Sequence, residues 1–285
     1  NGSDGDNLVK TRLAAGEMTD LLIFNSGAQL TSLNPAEYFV DLTEYDFMDR
    51  VQDIFKEAVT IDGKVYGTPV SSSNVGGIIY NKEVYEELGL SIPKTWDQFL
   101  ENMAACEEAG YVGILGTCAD AWSAQYTLLA DYYNVAAQEP DFAKNFEAGT
   151  AKFATTPAAL RSWEKLGDLS GHMNSDYMAA TVTDGFDLLL EENAPVHWPM
   201  TSQFFANMES LSSHEDADKF GIFPVPGDDE NDNGFTVWMP NGLYINKESE
   251  NTEAALTFME FWVSDEGMEI FMENAMADGP YLIDG

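Results

Sequence analysis

The groups in this chain able to do chemistry are unequally informative. Carboxylates are abundant: 49 Asp and Glu against 13 Lys and Arg give a formal charge of −36. Some carboxylate pair at glycoside-hydrolase spacing is therefore inevitable and says nothing about catalysis. The three histidines, His172, His197 and His214, are far apart in sequence, and His197, inside a strand, reads as a satisfied core or rim residue rather than a metal ligand. Cys106 and Cys118 lack C-x-x-C spacing, and a disulfide or two unconnected thiols both fit them. Asp229, Asn231, Asn233 and Gly234 match the first half of a calcium loop, yet Pro240 stands where the bidentate Glu belongs. That stretch reads as a solvated hairpin loop, and no metal or cofactor is expected. The sequence contains no G-x-S-x-G elbow, P-loop or H-E-x-x-H. The remaining candidates are neutral or lie beside neutral groups: Trp122, Trp198 and Trp238 near strand ends, Asn25, Ser26, Ser72, Ser73, Asn74 and Asn241 in turns or crossings, and Asp120 next to Trp122. Trp96, Trp163 and Trp262 fall at helical core spacing instead.

Those candidates need elements to hold them. Leu8, Arg12 and Leu13 suggest a helix ending at Gly16. Leu21–Phe24 then reads as a buried strand of a parallel sheet, placing Asn25 and Ser26 at its carboxyl end, where open α/β sheets bind ligands; a plain turn is the alternative. Phe47, Val51, Ile54, Phe55 and Ala58 recur on one helical face. A strand over Lys64–Thr68 leads into the polar loop Ser71–Asn74 and a second strand, Val75–Tyr80. A helix then runs from Asn81 to Gly89, and Thr95 caps the next with Gln98 three residues on. Val112–Leu115 is a further buried strand that delivers Thr117–Trp122 at its end. Downstream, Thr156 and Pro157 start a helix with Leu160, Trp163 and Leu166 as its core stripe. Thr183 starts another, ahead of a strand over Ala194–Trp198 whose register Pro195 and Pro199 obscure. Val237–Ile245 is the last strand. A two-helix hairpin follows, with Ala255, Phe258, Trp262, Met268 and Phe271 expected to be buried.

At 285 residues and 45% hydrophobic content the chain has room for two cored domains. Its acidity repels phosphate backbones, so nucleic acid is not an expected partner. No run of about 18 apolar residues is present to span a membrane. The opening NGSDGDN is not a signal peptide, which does not argue for the cytoplasm, because secreted proteins lose that segment.

Taken together, the GKVYG-P run at Gly63–Pro69, the strand ending in YNK at Tyr80–Lys82, the helix ending at Gly89-Leu90 and the PKTW of Pro93–Trp96 resemble the carbohydrate-binding proteins of ABC importers, of the extracellular solute-binding, family 1 type. The resemblance covers nearly the whole chain. It implies a two-lobed, periplasmic-binding-protein-like α/β fold with crossover hinge strands and an interlobe cleft. Lobe 1 would comprise residues 1–75 and 243–285, lobe 2 residues 81–236, and the crossovers 76–80 and 237–242. The family pattern runs past both ends, so the chain is expected to begin inside lobe 1 and to stop before a third crossover.

What the resemblance implies for function is binding without catalysis. A sugar is held by aromatic faces against its C–H surfaces and by polar groups paired with its hydroxyls, and Asn25, Ser26, Ser72, Ser73, Asn74, Asp120, Trp122, Trp198, Trp238 and Asn241 supply both kinds. The expected partners are a carbohydrate and ABC permease subunits, for a monomer outside the cytoplasmic membrane anchored through a segment not in this chain. The alternatives are the same fold holding a peptide or polyamine, and a glycoside hydrolase.

Overall fold

A computed structural model describes residues 2–274 and 279–284. The main strands, in chain order, are β1 (Leu21–Phe24), β2 (Gly67–Pro69), β3 (Asn74–Asn81), β4 (Val112–Ile114), β5 (Pro195–Thr201), β6 (Phe220–Phe223), β7 (Thr236–Trp238) and β8 (Gly242–Ile245). The chain divides into two compact units, Asn1–Asn74 with Trp238–Gly285, and Val75–Val237. Both are α/β, and the chain passes from the first to the second and back through β3 and through β7 with the residues after it.

In the first unit β8 lies between β1 and β2 and is antiparallel to both, with Leu21 opposite Ile245 and Gly242 opposite Pro69. The expectation of a parallel, fully buried β1 is thus corrected. Paired on one side only among the described residues, β1 buries Leu22 and Phe24 while Ile23 is 58% exposed. Its four apolar residues conceal a period-two pattern that hydropathy alone reads as continuous. Tyr244 of β8 is fully buried and stacks on Phe39 at 5.3 Å. Val51 and Phe55 enter this core as expected, but Ile54 is half exposed. In the hairpin Thr252–Trp262 and Asp265–Asn274, Ala255 and Met268 are buried, Trp262 and Phe271 are partly buried, and Phe258 is exposed.

The second unit's sheet runs β4-β5-β3-β6, with β7 also paired to β3. β5 is parallel to β4 and antiparallel to β3, and β6 is antiparallel to β3. The carboxyl ends of β4, β5 and β6 and the amino end of β3 consequently share one edge. The two prolines are accommodated because Pro195 opens β5, and Pro199 lies beyond the β4 pairing, which ends at Ile114–His197. Helices pack as their caps dictate. Asn81 Oδ1 accepts from the backbone N–H groups of Glu83 and Val84, and Thr95 Oγ1 accepts from Gln98. Gln98 in turn accepts from Lys94 N at 2.8 Å, one residue before the cap. The helix Val182–Leu188 starts at Thr181, in a reciprocal capping box with Asp184.

The helix Pro157–Asp168 corrects a second expectation. Its buried face is Ala158, Ala159, Ser162 and Lys165, whereas Leu160 is 39% and Trp163 48% exposed. A polar anchor sets that face. Lys165 Nζ donates to Asp131 Oδ1 and to Pro226 O, each at 2.7 Å, and sits 5.4 Å from the Trp96 ring centre; Ser162 Oγ donates to Asp131 Oδ2.

Candidate ligand site

In the first unit, Asn25 follows β1 with its side chain exposed while its carbonyl accepts from the Tyr244 hydroxyl at 3.2 Å; Ser26 is half buried beside it. Asn241 is exposed, and its carbonyl accepts from Val70 N at 3.2 Å, tying the turn before β8 to the end of β2. Ser72 is buried. Ser73 is buried too, and both of its protons go to one atom: its N–H at 2.9 Å and its hydroxyl at 3.0 Å donate to the Pro280 carbonyl. The hydroxyl proton of Ser73 is therefore engaged within the first unit. Asn74 is different. Its Oδ1 is buried and has no hydrogen-bond partner among the described residues, a state that carries a desolvation cost unless something pairs with it. Thr68 Oγ1, on β2, is in the same condition.

In the second unit, the segment after β4 and the start of the helix Gln203–Leu211 stand at the shared sheet edge. Thr117 and Ser123 are buried and joined through their hydroxyls at 3.0 Å, which closes the turn 117–123. Asp120 Oδ2 accepts from Val182 N at 2.8 Å, so its carboxylate caps the helix Val182–Leu188. Trp122 is 41% exposed and meets Tyr126 edge-on, with ring centres 5.5 Å apart. Burial pushes the Tyr126 phenol up to about 12, keeping it a neutral hydroxyl. Gln203, exposed just past β5, is an amide the sequence reading passed over. A side-chain amide directly after a strand's carboxyl end was the available signal. Trp238, half buried at the end of β7, is where the chain re-enters the first unit.

Trp198 is the clear departure. It is 1% exposed, packed edge-to-face against Phe186 at 5.2 Å and Phe204 at 6.1 Å. Only a glycine at 185 leaves room for it, since a Cβ there would stand 2.9 Å from the indole. Both faces are taken by the core of the second unit, and none is left to stack on a ligand. The expected strand end is corrected too: β5 runs on to Thr201, so Trp198 stands at mid-strand, paired with Ile79 and covered by the core.

His197 is fully buried, with Nδ1 2.7 Å from Gly113 O and Nε2 2.7 Å from the Tyr85 hydroxyl. Nδ1 must carry the proton, because the carbonyl can only accept, and Nε2 accepts from Tyr85. Burial holds its pKa down at about 4. Both cysteines are free, and burial raises the Cys106 thiol to about 11. Asp229 Oδ1 accepts from Asn231 N at 2.9 Å in a side-chain-stabilised turn, and among the described residues no group of three or more His, Cys, Asp or Glu is placed to hold a metal ion. An open cavity of about 530 Å³ in the second unit is lined by Asn81, Tyr111, Glu191, Pro195 and Phe220. These residues stand at the opposite end of the sheet from Trp122 and Gln203.

Two α/β units linked by β3 and β7, with amides, hydroxyls and an exposed indole at strand ends, define the class: a two-lobed, periplasmic-binding-protein-like fold. Residues 2–282 match the family of bacterial extracellular solute-binding proteins, and the chain belongs to it. It is 23% identical to the multiple sugar-binding protein of Streptococcus mutans over 286 residues, covering 95% of this chain and 64% of that protein's length. A shorter likeness, 27% over 139 residues, links it to the melibiose/raffinose/stachyose-binding protein MelE of Bacillus subtilis, over 47% of this chain and 30% of that one. In fold it is similar to the solute-binding protein RafE in complex with raffinose, with a TM-score of 0.79 and 23% identity over 98% of this chain and 72% of that chain.

Proposed function

We propose that this chain captures an oligosaccharide outside the cytoplasmic membrane and presents it to an ABC permease, without chemistry on the ligand. The observation that carries this reading is the likeness to the multiple sugar-binding protein across 95% of the chain. The local chemistry agrees with it. An exposed indole, Trp122, suits the C–H face of a pyranose, and the neutral side chains of Asn25, Ser26, Asn74, Gln203 and Asn241 suit hydroxyls. Ser72 and Trp238 remain candidates beside them. Trp198 belongs to the core of the second unit, and Ser73 and Asp120 each bond to backbone within their own unit.

The test is a thermal-shift panel of melibiose, raffinose and stachyose set against a short peptide and spermidine. A ligand that binds only the folded state raises its melting temperature by mass action. An upward shift with an oligosaccharide is expected, followed by calorimetry and product analysis. A shift with only the peptide or spermidine would transfer the fold to another solute, and hydrolysis abolished by a single carboxylate substitution would make the protein an enzyme.

A further inference from the structure

The segment 279–284 is fastened into the first unit along its length. Gln52 N donates to Leu282 O at 2.9 Å, Asp284 N donates to Arg50 O at 2.8 Å, and Leu282 and Ile283 are buried. At its start, Pro280 O receives both protons of Ser73. Gly279 packs so closely that a Cβ there would stand 2.4 Å from Ser73 O. Two residues on, Val75 is held as firmly: its N–H donates to Ser202 Oγ at 3.1 Å, and its carbonyl accepts from Ser202 N at 2.8 Å. Asn74 stands between these two doubly bonded neighbours, and its buried carboxamide oxygen is unpaired.

We propose that Gly279, Pro280 and Ser73 are positioning residues that hold the Asn74 carboxamide ready for a ligand hydroxyl; this rests on the oligosaccharide reading. Fixing the residues on either side of Asn74 holds the backbone from which its side chain projects, which lowers the freedom left to lose on binding. The ligand group is specified by the same atoms. The buried oxygen is an acceptor without a donor, and a ligand hydroxyl supplies that proton while its own oxygen stays free to accept another. Ser73 acts through Asn74, because its own hydroxyl proton is already committed to Pro280.

The experiment is calorimetry with the tightest binder among melibiose, raffinose and stachyose. It compares the parent protein, Ser73→Ala, Gly279→Ala, Asn74→Ala, Ser73→Thr and the two double variants that combine Asn74→Ala with Ser73→Ala or Gly279→Ala. Ser73→Ala and Gly279→Ala should each weaken binding about tenfold, the worth of one hydrogen bond. In the Asn74→Ala background the same changes should cost less than about twofold, because the group they position is gone. Ser73→Thr, which keeps the hydroxyl, should bind within about threefold of the parent. Losses that persist undiminished in the Asn74→Ala background, or an Asn74→Ala protein that binds like the parent, overturn the positioning role. Should Ser73→Ala fail to give a cooperative melt, the Gly279→Ala cycle, which keeps every polar group, decides the matter alone. A parent that binds none of the three sugars sinks the oligosaccharide reading and this proposal together, whereas tight parental binding with additive losses sinks only the latter.

Discussion

At the scale of single residues, six tryptophans illustrate how far spacing carries. Helical spacing placed Trp96 in the core, where it is fully buried with Nε1 donating to Asp168 at 2.9 Å, but the same rule failed for half-exposed Trp163, which touches Phe153 edge-on at 6.1 Å. Trp96→Ala and Trp198→Ala should therefore each cost about 3–5 kcal/mol of unfolding free energy in urea titrations. Trp163→Ala should cost no more than about 1 kcal/mol. Trp122→Ala should leave stability near the parent's and weaken oligosaccharide binding about tenfold, by analogy with base stacking on aromatics. Equal stability losses for Trp163 and Trp198 would contradict these assignments. His197 makes a pH prediction of its own. Its neutral ring is favoured in the folded protein, with a pKa lowered from 6.5 to about 4, so between those values the unfolded chain binds the extra proton. Stability from this group is complete above about pH 6.5 and declines towards pH 4, by roughly 3 kcal/mol in full. Asp41, held at about 2 by hydrogen bonds from Thr43 and Lys64, loses its contribution only below that window. Imidazole ¹⁵N shifts that remain those of a neutral ring down to about pH 5 are expected; a midpoint near 6.5 would show that the ring is not sealed from water.

At the scale of elements, the sequence was most legible where punctuation is dense. Asn81 and Thr95 cap the helices that the stretch from Gly63 to Trp96 announces, and Asn74–Asn81 is a strand. It was least legible where the deciding contact is distant or polar. Nothing within Leu21–Phe24 says that its partner is Gly242–Ile245, from the far end of the chain and antiparallel. Hydropathy around Pro157–Asp168 likewise pointed to Leu160 and Trp163, because it counts a lysine as exposed, whereas Lys165 is 1% exposed and paired with Asp131. The same limit governs the candidate site. The strand ends that carry Asn25, Asn74 and Trp122 could be read from local pattern, but Ser73 bound to Pro280 and Asp120 bound to Val182 could not. The buried pair yields a sharp expectation. Lys165→Met leaves the Asp131 carboxylate buried without its cation and should cost about 3–5 kcal/mol, whereas combining it with Asp131→Leu should recover a substantial part of that loss. Chemical denaturation of the singles and the double measures the coupling. If the double variant is as unstable as the sum of the singles, the pair is not the anchor of this helix.

At the scale of the whole molecule, the formal charge of −36 dominates the electrostatics. With 49 carboxylates against 13 cations, most acidic groups have no countercharge to pair with, and self-repulsion destabilises the compact state. Salt screens that repulsion, since the Debye length falls from about 10 Å at 0.1 M to about 3 Å at 1 M ionic strength. The melting temperature of the ligand-free protein should accordingly rise with added NaCl and follow ionic strength rather than the identity of the cation. Stabilisation by micromolar calcium at constant ionic strength would instead reveal a true cation site, with the Asp229–Gly234 turn the first place to look. The same field separates ligand classes. An uncharged oligosaccharide gains nothing from long-range attraction to a polyanion, so its dissociation constant should be nearly flat between low and high salt once the protein is folded in both. Spermidine or a basic peptide would be drawn to the acidic surface and released as salt screens it. Calorimetric titrations at two ionic strengths therefore test the nature of the ligand independently of any substitution: a salt-insensitive affinity supports recognition by neutral side chains, and an affinity that collapses with salt would move recognition to the carboxylates.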